Sequence, residues 1–154
     1  MFIENEIYKI IIENTIIEAI DLMIINQKWQ LLLWLRNNEP LKWIYYITWW
    51  RRYKNEKIID AIKRKAYEEL WIKIDENKII FIWIYDDIYD NSIFGNIPSH
   101  YSSITYIYKL DKDEEKKIRK DDQHEELKFF DINNPNIHKA IKIRIKDIKD
   151  KKII

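Results

Sequence analysis

WIKIDENKIIFIWIYDD, residues 71–87, is the stretch on which the fold turns. It reads as a hairpin: residues 71–75 run out, Glu76, Asn77 and Lys78 turn, and residues 79–85 return with a β-branched or aromatic side chain at every position. The return strand sets Ile79, Phe81, Trp83 and Tyr85 on one face and Ile80, Ile82 and Ile84 on the other, so both faces call for a covering layer. A two-stranded hairpin does not cover itself, and other strands with at least one helical layer are expected to pack on it.

Working outward, residues 56–70 form the clearest helix. Ile58, Ile59, Ile62, Ala66 and Leu70 fall on one narrow arc, with Asn55 as N-cap and Glu56, Lys57, Asp60, Lys63, Arg64 and Glu68 on the opposite side. Residues 4–25 carry apolar positions all round with scattered Glu, which predicts a mostly buried helix, and residues 27–36 predict a second, short one ending before Pro40. Residues 41–50 balance a helix opened by Pro40 against a strand-like composition, with the helix preferred.

Downstream, Asn91, Ser92, Gly95, Asn96 and Pro98 make 88–102 a loop, and 103–110 alternates as a half-buried strand. Residues 111–126 are nearly all charged and read as a solvated helix or excursion. Residues 127–132 read as a strand and 133–136 as a turn. Residues 140–146 alternate Ile with Lys or Arg as a last strand, although Ile137, Ile141, Ile145 and Ile148 also match a helix. The expected fold class is α+β: one domain whose helical N-terminal half packs on a C-terminal antiparallel sheet of about four to five strands built around the 71–87 hairpin.

The chain has 154 residues, 47% hydrophobic and 14% aromatic, enough for one sizeable core. Its 27 basic and 26 acidic side chains leave a net charge of +1, so any attraction for nucleic acid must come from a local patch. No cysteine is present, which removes disulfides, thiolate metal sites and a cysteine nucleophile. A single glycine excludes the glycine-rich phosphate loops of Walker and Rossmann sites. The 35 Ile against no Val are the mark of an A+T-rich genome such as that of a virus, mobile element or AT-rich microbe. Glu4 and Glu6 stand where a secretory signal would carry positive charge, and no apolar run reaches membrane-spanning length; a cytoplasmic, intracellular protein is expected.

Two constellations bear on function. Asp86, Asp87 and Asp90 follow the most apolar strand, His100 closes the same loop, and Asp131 approaches from a neighbouring strand. Converging carboxylates of this kind hold Mg²⁺ or Mn²⁺ for attack at phosphate, provided their oxygens come within roughly 4 to 5 Å of one ion. The pattern resembles the acidic and histidine motifs of primase-like and some nuclease sites, with adjacent aspartates where an alternating pair is expected there.

The second constellation is Trp50, Arg51 and Arg52 together with a cationic row, Lys142, Arg144 and Lys146, on the last strand. Aromatic faces beside guanidinium groups suit base stacking and phosphate contact, and equally a protein interface; the commoner role of lysines along a strand is to protect a sheet edge. The leading expectation is a binding protein of viral or mobile-element origin, without a cofactor, engaging a protein or nucleic-acid partner or a second copy of itself. The alternative is a Mg²⁺- or Mn²⁺-dependent phosphodiester-processing enzyme using Asp86, Asp87 and Asp90.

Overall fold

The computed structural model describes residues 3–120 and 127–154, without the side chains of 119 and 120. The order along the chain is α1 (Asn5–Asn14), β1 (Ile17–Ile25), β2 (Gln30–Leu35), β3 (Tyr45–Tyr46), β4 (Thr48–Trp50) and α2 (Ile58–Leu70). Then come β5 (Ile80–Tyr89), β6 (Ser99–Lys109), α3 (Lys112–Lys120), β7 (Leu127–Asp131) and α4 (Lys139–Asp150). The described strands form one seven-stranded sheet ordered β3-β2-β1-β6-β5, with β4 also paired to β1 and β7 to β2.

The centre is β1, not the 71–87 hairpin. IEAIDLMII reads as a nearly continuous apolar run because it is covered on both faces. Ile20, Leu22 and Ile24 meet Ala61, Ile62, Ala66 and Leu70 of α2. Met23 and Ile25, on the other face, join a core with Ile141, Ile145 and Ile148 of α4. β1 runs parallel to β6 from Ile17 opposite Tyr101 to Ile25 opposite Lys109, so the sheet is mixed.

The expected helical N-terminal half on a C-terminal antiparallel sheet is therefore overturned: helices are interspersed among the strands in an α/β sandwich. Of the first six helices and strands, all falling in stretches predicted as helical, four are strands, β1 to β4. Isoleucine density hid them, since a doubly buried strand and a buried helix look alike without a clean period.

Residues 71–75 form no strand. Trp71 caps α2 in the left-handed region at φ 56°, and Ile72 and Ile74 pack beneath that helix. A 3₁₀ turn at Glu76–Lys78 then leads into β5. Among the described residues β5 pairs with β6 alone and is a sheet edge, leaving Ile80, Phe81, Trp83, Ile84 and Ile88 exposed, against the expectation that both its faces are covered. It also continues through Asp86 and Asp87, so the 88–102 loop is shorter than expected.

Residues 140–146 belong to α4, not to a strand. Arg144 settles the choice. Its guanidinium lies 2.8 Å from Asp21 and 2.5 Å from Asp87 with almost no solvent exposure, and a helix is what aims it at both strands. The part of the charged stretch at 121–126, with His124, lies outside the described residues. Among the described residues no helix is long and apolar enough to cross a membrane.

Candidate functional site

β4 and the turn after β2 build a cleft beside α2. One cavity of about 290 Å³ is lined by Trp34, Arg36, Asn38, Trp49, Trp50 and Glu69 among others. A neighbouring one of about 200 Å³ shares Arg36, Asn38, Trp49 and Trp50 and adds Tyr8, Glu18, Arg51 and Tyr101. The groove thus runs from the C-terminal end of α2, across the 36–39 turn, to α1.

Arg36 is the distinctive cation here. Its Nε donates to the Pro40 carbonyl at 2.8 Å and its Nη2 to the Asn38 carbonyl at 3.4 Å, while its guanidinium carbon lies 4.6 Å over the Trp49 ring. It forms no ion pair among the described residues; the nearby Glu39 carboxylate accepts from Asn91 and the Lys42 amide instead. Burial pulls the Arg36 pKa below its ordinary value, which is the signature of a cation short of counter-charge. Arg51, exposed, stacks 4.3 Å over Tyr8.

α2 contributes Glu69 to the wall, and the charged residues around it are paired among themselves. Arg64 grips Glu56 with both arms, Nε at 2.6 Å and Nη2 at 2.8 Å, and this hydrogen bonding holds the Glu56 carboxyl down at about 2. One turn on, Lys65 reaches Glu69 at 2.5 Å and Glu68 at 3.4 Å. The other Glu69 oxygen accepts the Trp50 indole N–H at 2.8 Å. Burial works against the Lys65 charge, but its two carboxylate partners outweigh burial and hold its pKa above the ordinary lysine value. Helical spacing explains the grouping, since residues four apart share a face.

The residues singled out in the sequence are distributed differently. Asp86 and Asp87 alternate on β5 and point to opposite faces. Asp86 pairs with His100 Nε2 at 3.0 Å on the exposed side, whereas Asp87 is buried on Arg144 and accepts from Ser103 Oγ at 2.6 Å. Asp90 is exposed beyond the strand end, and Asp131 closes β7, which pairs with β2 on the other side of the sheet centre; its Oδ1 accepts from the Asn133 amide. Apart from Asp86 with His100, the structure does not bring these five together.

Of the second constellation, Arg51 lines the groove, Trp50 is buried and anchors Glu69, and Arg52 is paired with Glu18. Lys142 donates to the Pro135 carbonyl, Lys146 pairs with Asp150 and Arg144 is internal, so the cationic row does not exist. Sequence reasoning missed Arg36, Lys65 and Glu69 altogether and assigned Glu56, Arg64 and Glu68 to a solvated helix side. The available signal was the run RKAYEE, residues 64–69, where each cation has a carboxylate four residues on.

No protein-family model matches the chain. It is similar to the low-salt glycan biosynthesis protein Agl8 of Haloferax volcanii, 29% identical over 138 residues, covering 88% of this chain and 84% of that protein. In structure it resembles a MutT Nudix hydrolase from Burkholderia pseudomallei, with a TM-score of 0.65 at 16% identity over 88% of this chain and 99% of that one. The Nudix domain of Shewanella oneidensis NrtR, solved with ADP ribose, gives 0.60 at 11% identity over 97% and 99% of the two chains. These relatives come from an archaeon and bacteria and lend no support to a viral origin.

Hydrolysis of a phosphate anhydride is ordinarily assisted by Mg²⁺ or Mn²⁺, as is typical of Nudix hydrolases. The donor set here does not fit such an ion. Glu56 is consumed by Arg64, Glu69 by Lys65 and Trp50, and among the described residues no group of three or more acidic or histidine side chains is placed to hold a metal. What the likeness to these structures establishes is the fold: the chain has the α/β sandwich of the Nudix hydrolases.

Proposed function

We propose that this chain acts on a nucleoside diphosphate joined to a sugar, hydrolysing it in the groove between β4 and the 36–39 turn. The observation that carries the reading is Arg36, a half-buried guanidinium seated on Trp49 without a carboxylate partner among the described residues. A buried cation so placed gains most from an anionic ligand, and its fork suits phosphate oxygens. Trp34 and Trp49 offer aromatic surface for the base in the same cavity. Arg51 stands farther along as a second cation for the charge of the leaving phosphate. Glu69 lines the same cavity, its place fixed by Lys65 and the Trp50 indole, and is the carboxylate assigned to orient water.

Support for the substrate class comes from two directions. A structure of the same fold holds ADP ribose, and a relative over most of the chain is named for glycan biosynthesis. The finding that would bear this out is release of nucleoside monophosphate and sugar phosphate, followed by ³¹P NMR, from one of the ADP-, GDP- or UDP-sugars. Arg36→Ala is expected to weaken binding about 100-fold, the loss of a charge-assisted fork worth about 2 to 3 kcal/mol. If no such compound binds or is cleaved, or Arg36→Ala changes nothing, the reading fails.

A second reading is a domain that holds such a ligand uncut. The carboxylates tied up by Arg64 and Lys65 favour it. Saturable binding with an unchanged ³¹P spectrum distinguishes it from the first.

A further inference from the structure

Glu69, the α2 residue that lines the groove, is paired with a cation of its own helix. Lys65 Nζ lies between Glu69 Oε1, at 2.5 Å, and Glu68 Oε2, at 3.4 Å, and the second Glu69 oxygen is taken by Trp50. A divalent ion needs several carboxylate or other oxygen ligands at about 2.0 to 2.6 Å, and it repels an ammonium group in the same place. We propose that Lys65 is the resident counter-cation of the Glu68–Glu69 pair, occupying by a tethered ammonium the position a divalent ion would require, so that the groove takes up no Mg²⁺ or Mn²⁺.

Several features make this a built arrangement. Lys65 is mostly buried, which restricts the four-carbon stem to few rotamers and commits the ammonium to its place. Trp50, itself buried, fixes the far side of the Glu69 carboxylate, so Glu69 is not free to rotate away from Lys65 toward an ion. Glu56, at the start of the same helix, is neutralised separately by Arg64. Glu56, Glu68 and Glu69 thus face the two fixed cations Arg64 and Lys65, and this set attracts a doubly charged ion less strongly than an open carboxylate trio. The statement about metal stands on these contacts alone; its consequence, that turnover of a diphosphate here proceeds on the protein's own cations, rests on the hydrolase reading above.

The test is Mn²⁺ titration followed by electron paramagnetic resonance, on the parent protein, Lys65→Glu and Lys65→Met. The parent is expected to leave the free Mn²⁺ signal unchanged up to about 1 mM, a binding energy weaker than about 4 kcal/mol. Lys65→Glu, which adds a third carboxylate beside Glu68 and Glu69, is expected to gain one Mn²⁺ per chain, and adding Glu69→Gln to remove it again. Should Lys65→Glu fail to fold, Lys65→Met keeps the stem, deletes the charge and is expected to bind Mn²⁺ more tightly than the parent. Stoichiometric Mn²⁺ on the parent that Glu69→Gln abolishes would overturn the proposal, as would a folded Lys65→Glu that binds none. Activity assays separate the two readings. Hydrolysis by the parent that survives EDTA supports both. EDTA-sensitive hydrolysis with Mn²⁺ bound at Glu69 sinks this inference and leaves the hydrolase reading intact. A parent that neither binds Mn²⁺ nor cleaves any sugar nucleotide does the reverse.

Discussion

Arg144 on α4 and Asp21 on β1 meet at 2.8 Å in the interior, where the same guanidinium also holds Asp87 at 2.5 Å. One cation thus serves two carboxylates, and one Asp21 oxygen and the Tyr46 hydroxyl have no hydrogen-bond partner among the described residues. Burial pushes the Asp21 carboxyl up to about 7, the attraction of Arg144 opposing it and the nearby Asp87 adding to it. In the folded protein Asp21 therefore keeps a proton that the unfolded chain releases near pH 4. Between those values the native state binds more protons, and stability falls as pH rises. Denaturant unfolding from pH 4.5 to 8 is expected to show Asp21→Asn losing less stability than the parent across this window, by a few kcal/mol on the order of the shift. Parallel curves for the two proteins would show that Asp21 is ionised throughout.

Glu56 has the opposite sign. Its carboxyl is held at about 2 by Arg64, so its contribution is full above the ordinary glutamate range and is lost as pH falls toward 2. The pair ties the 53–56 turn to α2, and Glu56 Oε2 also accepts from the Tyr53 amide at 2.9 Å. Glu56→Gln is expected to cost about 1 to 3 kcal/mol at pH 7, the usual worth of hydrogen bonds to a charged group. Thermal melts should show the gap between the parent and variant closing as pH drops from 4.5 toward 2.

Trp71 ends α2 at φ 56°, a conformation that an L-residue with a bulky side chain adopts at a cost. The chain has one glycine, and other residues take left-handed backbone in its turns and after its helices; Trp29, Leu41, Trp43, Asn55 and Lys152 also have positive φ. The Trp71 side chain is mostly exposed and touches Tyr67 only loosely, with ring centroids 6.0 Å apart. Trp71→Gly is expected to stabilise the protein by about 0.5 to 1 kcal/mol, relief of left-handed strain exceeding the added unfolded-state entropy. A lowered melting temperature would mean that the indole contributes packing beyond the Tyr67 contact.

α2 was legible because its apolar residues keep to a 100° period, and the buried set Ala61, Ile62, Ala66 and Leu70 overlaps the predicted arc. β6 and β7 were legible from alternation and turn residues. β1 was not, because covering by α2 and α4 erases the alternation that marks a half-buried strand, and Glu18 with Asp21 imitate a helical polar face. In α4 both periods fit, and Ile143 is indeed exposed; the tie was broken by Arg144 reaching two aspartates distant in sequence, which no local pattern encodes. The candidate site fared likewise. Arg51 was visible from composition, but Arg36 matters because among the described residues it has carbonyl partners and no carboxylate, and that is a property of the assembled turn.

β5 is the outer strand of the sheet, ten residues long, and Ile84 and Ile88 are about half or more exposed on it. Such an edge presents unpaired backbone groups beside apolar side chains, the combination that invites pairing with another molecule. Its present protection is partial: Lys151 lies 5.0 Å over Trp83 and donates to the Ile82 carbonyl, and the Asp86–His100 pair interrupts the apolar row. Ile84→Lys is expected to change stability by less than about 0.5 kcal/mol, as is usual for exposed positions. It should also lower concentration-dependent self-association in sedimentation velocity, because a charge on the edge must be desolvated before a second strand can dock. Identical sedimentation of the parent and Ile84→Lys across a hundredfold concentration range would show that the edge pairs with nothing, and that the apolar side chains on β5 are tolerated singly.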